Sequence, residues 1–176
     1  IARIGGDAEL IVRAQTQAIN SAFVAEVRSV FYGVRGLSVL HPSIGVVGPY
    51  MGGTLPIAGY TARALAMLGQ RLKNWDMSGF ASGLNQFEKF TTDRQRHLTL
   101  QAQYTEVVSQ TLLESINEKP IDILICMAQA PITGRVLTEL RNRGVITVMW
   151  FMEDYLRFGY WREMAKFYDF MFTIQR

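Results

Sequence analysis

The sequence predicts an α/β domain, a doubly wound parallel sheet of about five strands with an extra N-terminal helix, and three observations carry that expectation. Short segments such as 123–127 and 145–151 stay apolar almost end to end, as strands covered on both faces do. Between them lie stretches whose apolar residues recur three and four apart, bounded by capping residues, Gly and Pro. The bulk also fits: 176 residues, 49% hydrophobic and 19% charged, suit one core that buries roughly 70% of the unfolded surface.

Taken in order, residues 7–33 open with helical spacing. Leu10, Ala14, Ala18, Phe23, Val27, Val30 and Phe31 recur three to five apart, Asp7 suits an N-cap, and Gly33 or Gly36 a stop. Residues 1–40 are read as a helical extension and 41–176 as the α/β domain. A first buried strand covers 43–48. A helix follows over 54–68, with Thr54 or Leu55 as cap, Pro56 in its first turn and Gly69 closing it. A weaker strand, 71–75, ends at Asp76, and 78–90 reads as loop or short helix because Gly79 and Gly83 interrupt it. Asp93 caps a long helix marked by Leu100, Tyr104, Val107, Val108, Leu112 and Ile116 and stopped by Pro120. The clearest strand is 121–127. A helix over 133–143 stops at Gly144, and strand 145–151, helix 155–167 and strand 170–174 complete the alternation.

Composition excludes several classes. Lys and Arg number 18 against 15 Asp and Glu, a formal charge of +3, and the pI is near 9.2. Fourteen of those cations are Arg, but they are scattered rather than gathered on a phosphate-tracking stripe, so no nucleic-acid partner is expected. Charged residues interrupt every apolar run well short of the roughly 18 residues a membrane span needs, so no transmembrane segment is expected. Without an initiator Met or a signal-peptide pattern, the chain reads as an excerpt of something longer. Cys126 is the lone cysteine, set in an apolar strand, and reads as a small hydrophobe in a reducing cytoplasm. His41 and His97 lack metal-site spacing and read as a turn and a helix-surface residue, so no metal is expected. No Ser sits in a G-x-S-x-G elbow.

Doubly wound sheets bind ligands beyond the carboxyl ends of their strands, so the loops that follow each strand hold the candidates. After the first strand comes Gly48-Pro49-Tyr50-Met51-Gly52-Gly53-Thr54, leading into a helix. Glycines allow close backbone approach and a helix N-terminus favours negative charge, although a tight turn alone would also need Gly. The loop is neither a Walker loop nor G-x-G-x-x-G, although Asp76, 23 residues past Gly53, stands near where a ribose-binding acid would. Gln129 is the polar side chain of the loop after 121–127. The loop after 145–151 carries Glu153, Asp154 and Tyr155 within an aromatic run, a set able to hold a hydroxylated or phosphorylated ligand or, equally, to cap and pack the following helix. Because side chains alternate faces at a strand end, Glu153 is expected toward the cleft and Asp154 as the cap.

Two stretches resemble a known family. Gly52-Gly53-Thr54 with the segment 60–69 (Tyr-Thr-Ala-Arg-Ala-Leu-Ala-Met-Leu-Gly) resembles the Gly-Gly loop and first helix of GT-B-fold glycosyltransferases. The segment 122–131, continuing through 140–144 to Trp150-Phe151-Met152-Glu153-Asp154 and Phe172-Thr173-Ile174-Gln175, resembles the N-terminal domain of CgeB-like, spore-maturation-type proteins of the group-1 glycosyltransferases. The resemblance covers 43–176. It implies a Rossmann-like acceptor-side half, a donor-binding C-terminal half absent from this chain, and transfer of a sugar from a nucleotide sugar to a hydroxyl-bearing acceptor, with no further cofactor. Within it, Gly52, Gly53 and Thr54 would shape the cleft floor. Glu153 would be the catalytic carboxylate, with Asp154, Gln129 and Tyr155 as further substrate contacts. A non-catalytic ligand-binding or regulatory module, and then a dinucleotide-dependent oxidoreductase domain, are the alternatives.

Overall fold

The computed structural model describes residues 42–51 and 56–174. The chain divides into units Ile1–Leu40 and His41–Arg176, so every described residue lies in the second. The helix expected over 7–33, His41, and the Gly52, Gly53 and Thr54 segment lie outside the described residues.

Five strands form, four where apolar runs predict them and β2 at the weaker pattern of 71–75: β1 (Ser43–Val47), β2 (Arg71–Trp75), β3 (Ile123–Met127), β4 (Ile146–Phe151) and β5 (Phe170–Thr173). All pair in parallel, in the order β2-β1-β3-β4-β5. This is a Rossmann-like α/β sheet with the 2-1-3-4-5 order of flavodoxin-like domains. The helices are α1 (Ile57–Met67), α2 (Ala81–Phe90), α3 (Arg94–Glu118), α4 (Gly134–Asn142) and a short α5 (Trp161–Met164) that runs into a 3-10 turn, Ala165–Phe167.

The step from β1 to β2 moves one way across the sheet and every later step moves the other way. Right-handed crossovers therefore set α1 on one face and α2 to α5 on the other. On the second face Leu124, Cys126, Met149 and Phe151 meet Val108, Leu112, Leu137 and Leu140 in one cluster. Phe151, Leu124, Leu137 and Leu140 are wholly buried, and each such side chain contributes roughly 1.5–3 kcal/mol. The alternate residues Ile44, Val46, Ile146 and Val148 are buried on the opposite face.

Most boundaries follow local chemistry. The Asp93 carboxylate accepts from the Arg96 N–H at 3.0 Å and starts α3, and Pro120 lies just past its end. Gly144 closes α4 at φ +86°, a left-handed conformation that Gly adopts without a Cβ penalty. Pro56 itself stands at the N-cap of α1, its carbonyl accepting from the Tyr60 N–H at 3.0 Å.

Two segments differ from expectation. Residues 78–90 form a 3-10 turn, Ser78–Phe80, and then the full helix α2. Gly83, read as a helix breaker, instead makes room: a Cβ there would meet the Tyr104 hydroxyl. The helix expected over 155–167 is confined to its second half. The Asp154 carboxylate takes the Leu156 and Arg157 N–H groups at 2.8 and 3.3 Å, and the single turn closed by Phe158 N–H on the Asp154 carbonyl ends at Gly159.

Gly134 opens α4 against the Phe167 ring, where a Cβ would come within 2.5 Å. Gly134→Ala should therefore lower stability by about 1–3 kcal/mol despite the better helix propensity of Ala. Phe167→Leu in the same chain should restore part of the loss. Gly79→Ala, in open space, should stay within about 0.5 kcal/mol. Denaturant melts of the three variants decide the point.

Candidate functional site

Parallel pairing brings the carboxyl ends of all five strands to one edge. After β1 the chain turns to α1 on one face, and after β3 to α4 on the other, so a crevice opens between neighbouring strands, where such sheets bind ligands. The described first part of the loop after β1 is tied down by two bonds. Gly48 N–H donates to the Trp75 carbonyl at 3.2 Å, and the Tyr50 hydroxyl donates to Thr105 Oγ1 of α3 at 3.3 Å. At 25 residues, roughly 37 Å, α3 is about twice as long as any strand. Its buried residues, Val108, Ser109, Leu112, Leu113 and Ile116, all fall in the second half, so the first half rises past the strand ends beside α2.

Past β3 the backbone is strained. Gln129 holds φ +62°, a left-handed conformation uncommon outside Gly and costing of order 1–3 kcal/mol. Three bonds hold it there. Ala130 N–H closes a tight turn on the Met127 carbonyl at 3.0 Å, Gln129 N–H donates to the Tyr160 hydroxyl at 2.9 Å, and the Gln129 side-chain amide donates to Glu153 Oε1. The Tyr160 hydroxyl in turn donates to Glu153 Oε2 at 3.4 Å. The structure thus joins Gln129 and Glu153 across the ends of β3 and β4 through a residue that sequence reasoning missed. Tyr160 lies in the aromatic run after Glu153, but only the turn over 154–160 shows which of those rings swings back to the strand ends.

Burial, and then the Glu153 charge, raise the Tyr160 hydroxyl well above the usual phenol range. It stays protonated at neutral pH and serves Glu153 as a donor. The carboxylate is oriented by two neutral donors, and among the described residues no cation pairs with it. Beside this trio opens a pocket of about 440 Å³, with Gln129 and Tyr160 in its lining.

The other candidates sit elsewhere. Asp154 is exposed and serves its own turn. Tyr155 packs against the core, and its carbonyl accepts the Trp161 indole N–H at 3.0 Å. Asp76, at the exposed end of β2, accepts from Ser78 N–H at 2.9 Å, a bond that holds its carboxyl below the usual range. It is separated from β4 by β1 and β3. His97 lies on α3. Cys126 is wholly buried, and burial pushes its thiol up to about 12, so it is no nucleophile. Among the described residues no group of three or more His, Cys, Asp or Glu is placed to hold a metal, and no helix is long and apolar enough to cross a membrane.

Compared with known proteins, the chain matches no family model, no curated protein and no solved structure.

The buried groups next to the site make stability depend on alkaline pH. Burial raises Cys126 from 9.0 to about 12, and raises Tyr168 and Tyr160 as well. Each group holds its proton more tightly folded than unfolded. The stability from the thiol is therefore whole below its ordinary 9.0 and is lost as the pH climbs toward about 12. Cys126→Ala should flatten the fall in unfolding free energy between about pH 9 and about pH 11 by up to about 1.4 kcal/mol per pH unit, measured by urea titration.

Proposed function

We propose that this domain is the acceptor-side half of a nucleotide-sugar-dependent glycosyltransferase, in which Glu153 takes the proton from the attacking acceptor hydroxyl. The observation that carries the reading is the Glu153 carboxylate itself, oriented by Gln129 and Tyr160 at the carboxyl edge of the sheet. A carboxylate offers about four lone-pair positions. Two are taken by these donors, and the rest remain for a substrate hydroxyl.

In the reaction, the O–H bond of the acceptor breaks and its proton passes to Glu153. The acceptor oxygen forms the new bond to the anomeric carbon, and the bond from that carbon to the donor phosphate breaks with its electron pair. A nucleoside diphosphate leaves. Positioning and proton transfer are what this domain supplies, worth about 10²–10⁴-fold for the proton alone. By the resemblance, Gly52, Gly53 and Thr54, which precede α1 in the sequence, would shape the floor near the donor phosphates. The donor would be bound chiefly by a second α/β domain of the same protein, in keeping with the resemblance of 43–176 to CgeB-like glycosyltransferases. A cytoplasmic setting belongs to the same proposal.

The 2-1-3-4-5 strand order, shared with flavodoxin-like binding modules, favours a second reading as a non-catalytic ligand-binding domain. Kinetics separate the two. In the whole protein that carries this chain, release of nucleoside diphosphate from nucleotide sugars should fall about 100-fold or more in Glu153→Gln, with the KM for donor unchanged. Asp154→Ala should cost about 1 kcal/mol of stability and keep activity. Turnover unaffected by Glu153→Gln would remove Glu153 as base, and no turnover with any donor would leave the binding module.

A further inference from the structure

We infer that the pocket beside Glu153 receives the aromatic body of a phenol-type acceptor, whose hydroxyl reaches the Gln129–Tyr160–Glu153 trio. The inference rests on the transferase reading only for what becomes of the hydroxyl; the binding itself stands apart from it. The pocket holds about 440 Å³, within the range of small-molecule sites, and its walls are apolar: Met149, Met164, Ile132, Ala130 and Phe158. Its polar lining groups are Gln129, Tyr160 and Tyr168. The first two bond directly to Glu153, and Tyr168 is buried in the same core cluster as Cys126.

That distribution discriminates between acceptors. A sugar carries hydroxyls around its whole ring, and seating it here would turn several of them against Met and Ile side chains that accept no hydrogen bond, at a cost of about 1–3 kcal/mol each. A phenol has one hydroxyl and an apolar remainder. Its ring suits thioethers and aromatic edges, since methionine sulfur packs favourably against rings and adapts to their shape. The single hydroxyl then meets the Gln129 and Tyr160 edge of the pocket, through which it reaches the Glu153 carboxylate that both bond. Gln129 is exposed, so this polar edge is reached directly from solvent.

The test uses the full chain with three probes, 2-naphthol, 2-methoxynaphthalene and methyl glucoside, followed by naphthalene fluorescence or calorimetry. The expected order is 2-naphthol tighter than 2-methoxynaphthalene by about tenfold or more, the worth of a hydrogen bond to a charged group, with methyl glucoside weakest. Glu153→Gln should shrink the naphthol preference and leave the methoxy compound unchanged. Ala130→Trp and Met164→Trp, each filling the pocket from a different wall, should weaken 2-naphthol at least about tenfold; thermal melts report whether each variant is folded. Equal affinity for the two naphthalenes in wild type, tighter binding of the glucoside, or naphthol binding untouched by a folded filling variant would overturn the inference. Binding as expected, with no sugar transfer to 2-naphthol by the whole protein, would instead count against the transferase reading and leave the pocket assignment standing.

Discussion

Parallel pairing is the constraint on which the rest of this structure depends. A strand can join its neighbour in parallel only if the chain first returns across a face of the sheet, and each return needs a helix to cover that face. Four such returns build the domain. They bury Leu124 and Phe151 on one side and Val46 and Ile146 on the other, and they deliver the four strand-to-helix loops to a single edge. The reversal of direction after β2 sends the loops of β1 and β3 to opposite faces. Gln129 therefore stands at the rim of a crevice before any side-chain chemistry is considered.

What makes that rim a site is a local exchange of energy. Gln129 is held in a left-handed conformation that side chains resist, and the holding groups are Tyr160 and Glu153, both contributed by the loop after the neighbouring strand β4. Tyr160 accepts from the backbone of one loop and donates to the carboxylate of another, so three groups fix one another's positions. Burial keeps the phenol protonated, which keeps the direction of these bonds constant through neutral pH. A carboxylate oriented in this way loses little freedom when a substrate arrives, which is the physical content of preorganisation.

The central strands were legible because burial on both faces leaves an unbroken apolar run, as in the Ile-Leu-Ile-Cys-Met of β3. Asp93 and Gly144 were legible because caps act locally. The helix α2 was not, because Gly83 answers to Tyr104, a partner 21 residues away whose packing no local pattern shows. The segment after β4 misled for a related reason. Its aromatics have helical spacing, but Trp161 docks on the Tyr155 carbonyl and Tyr160 turns back to Gln129, so the rings serve tertiary contacts rather than one helix face. Gln129 and Glu153 could be named from their places at strand ends. Their union through Tyr160 depends on the turn at Asp154 and was out of reach of any reading by spacing.

The central claim is that Gln129 and Glu153 act as one unit that orients the carboxylate. A double-mutant cycle on stability tests it most directly, with Gln129→Ala, Glu153→Ala and the double variant compared with wild type in urea melts. Direct partners should show a coupling of at least about 0.5 kcal/mol, the double variant losing less than the sum of the single losses. Single losses that add to within about 0.3 kcal/mol would mean that the two side chains do not hold each other in solution, and would contradict the account.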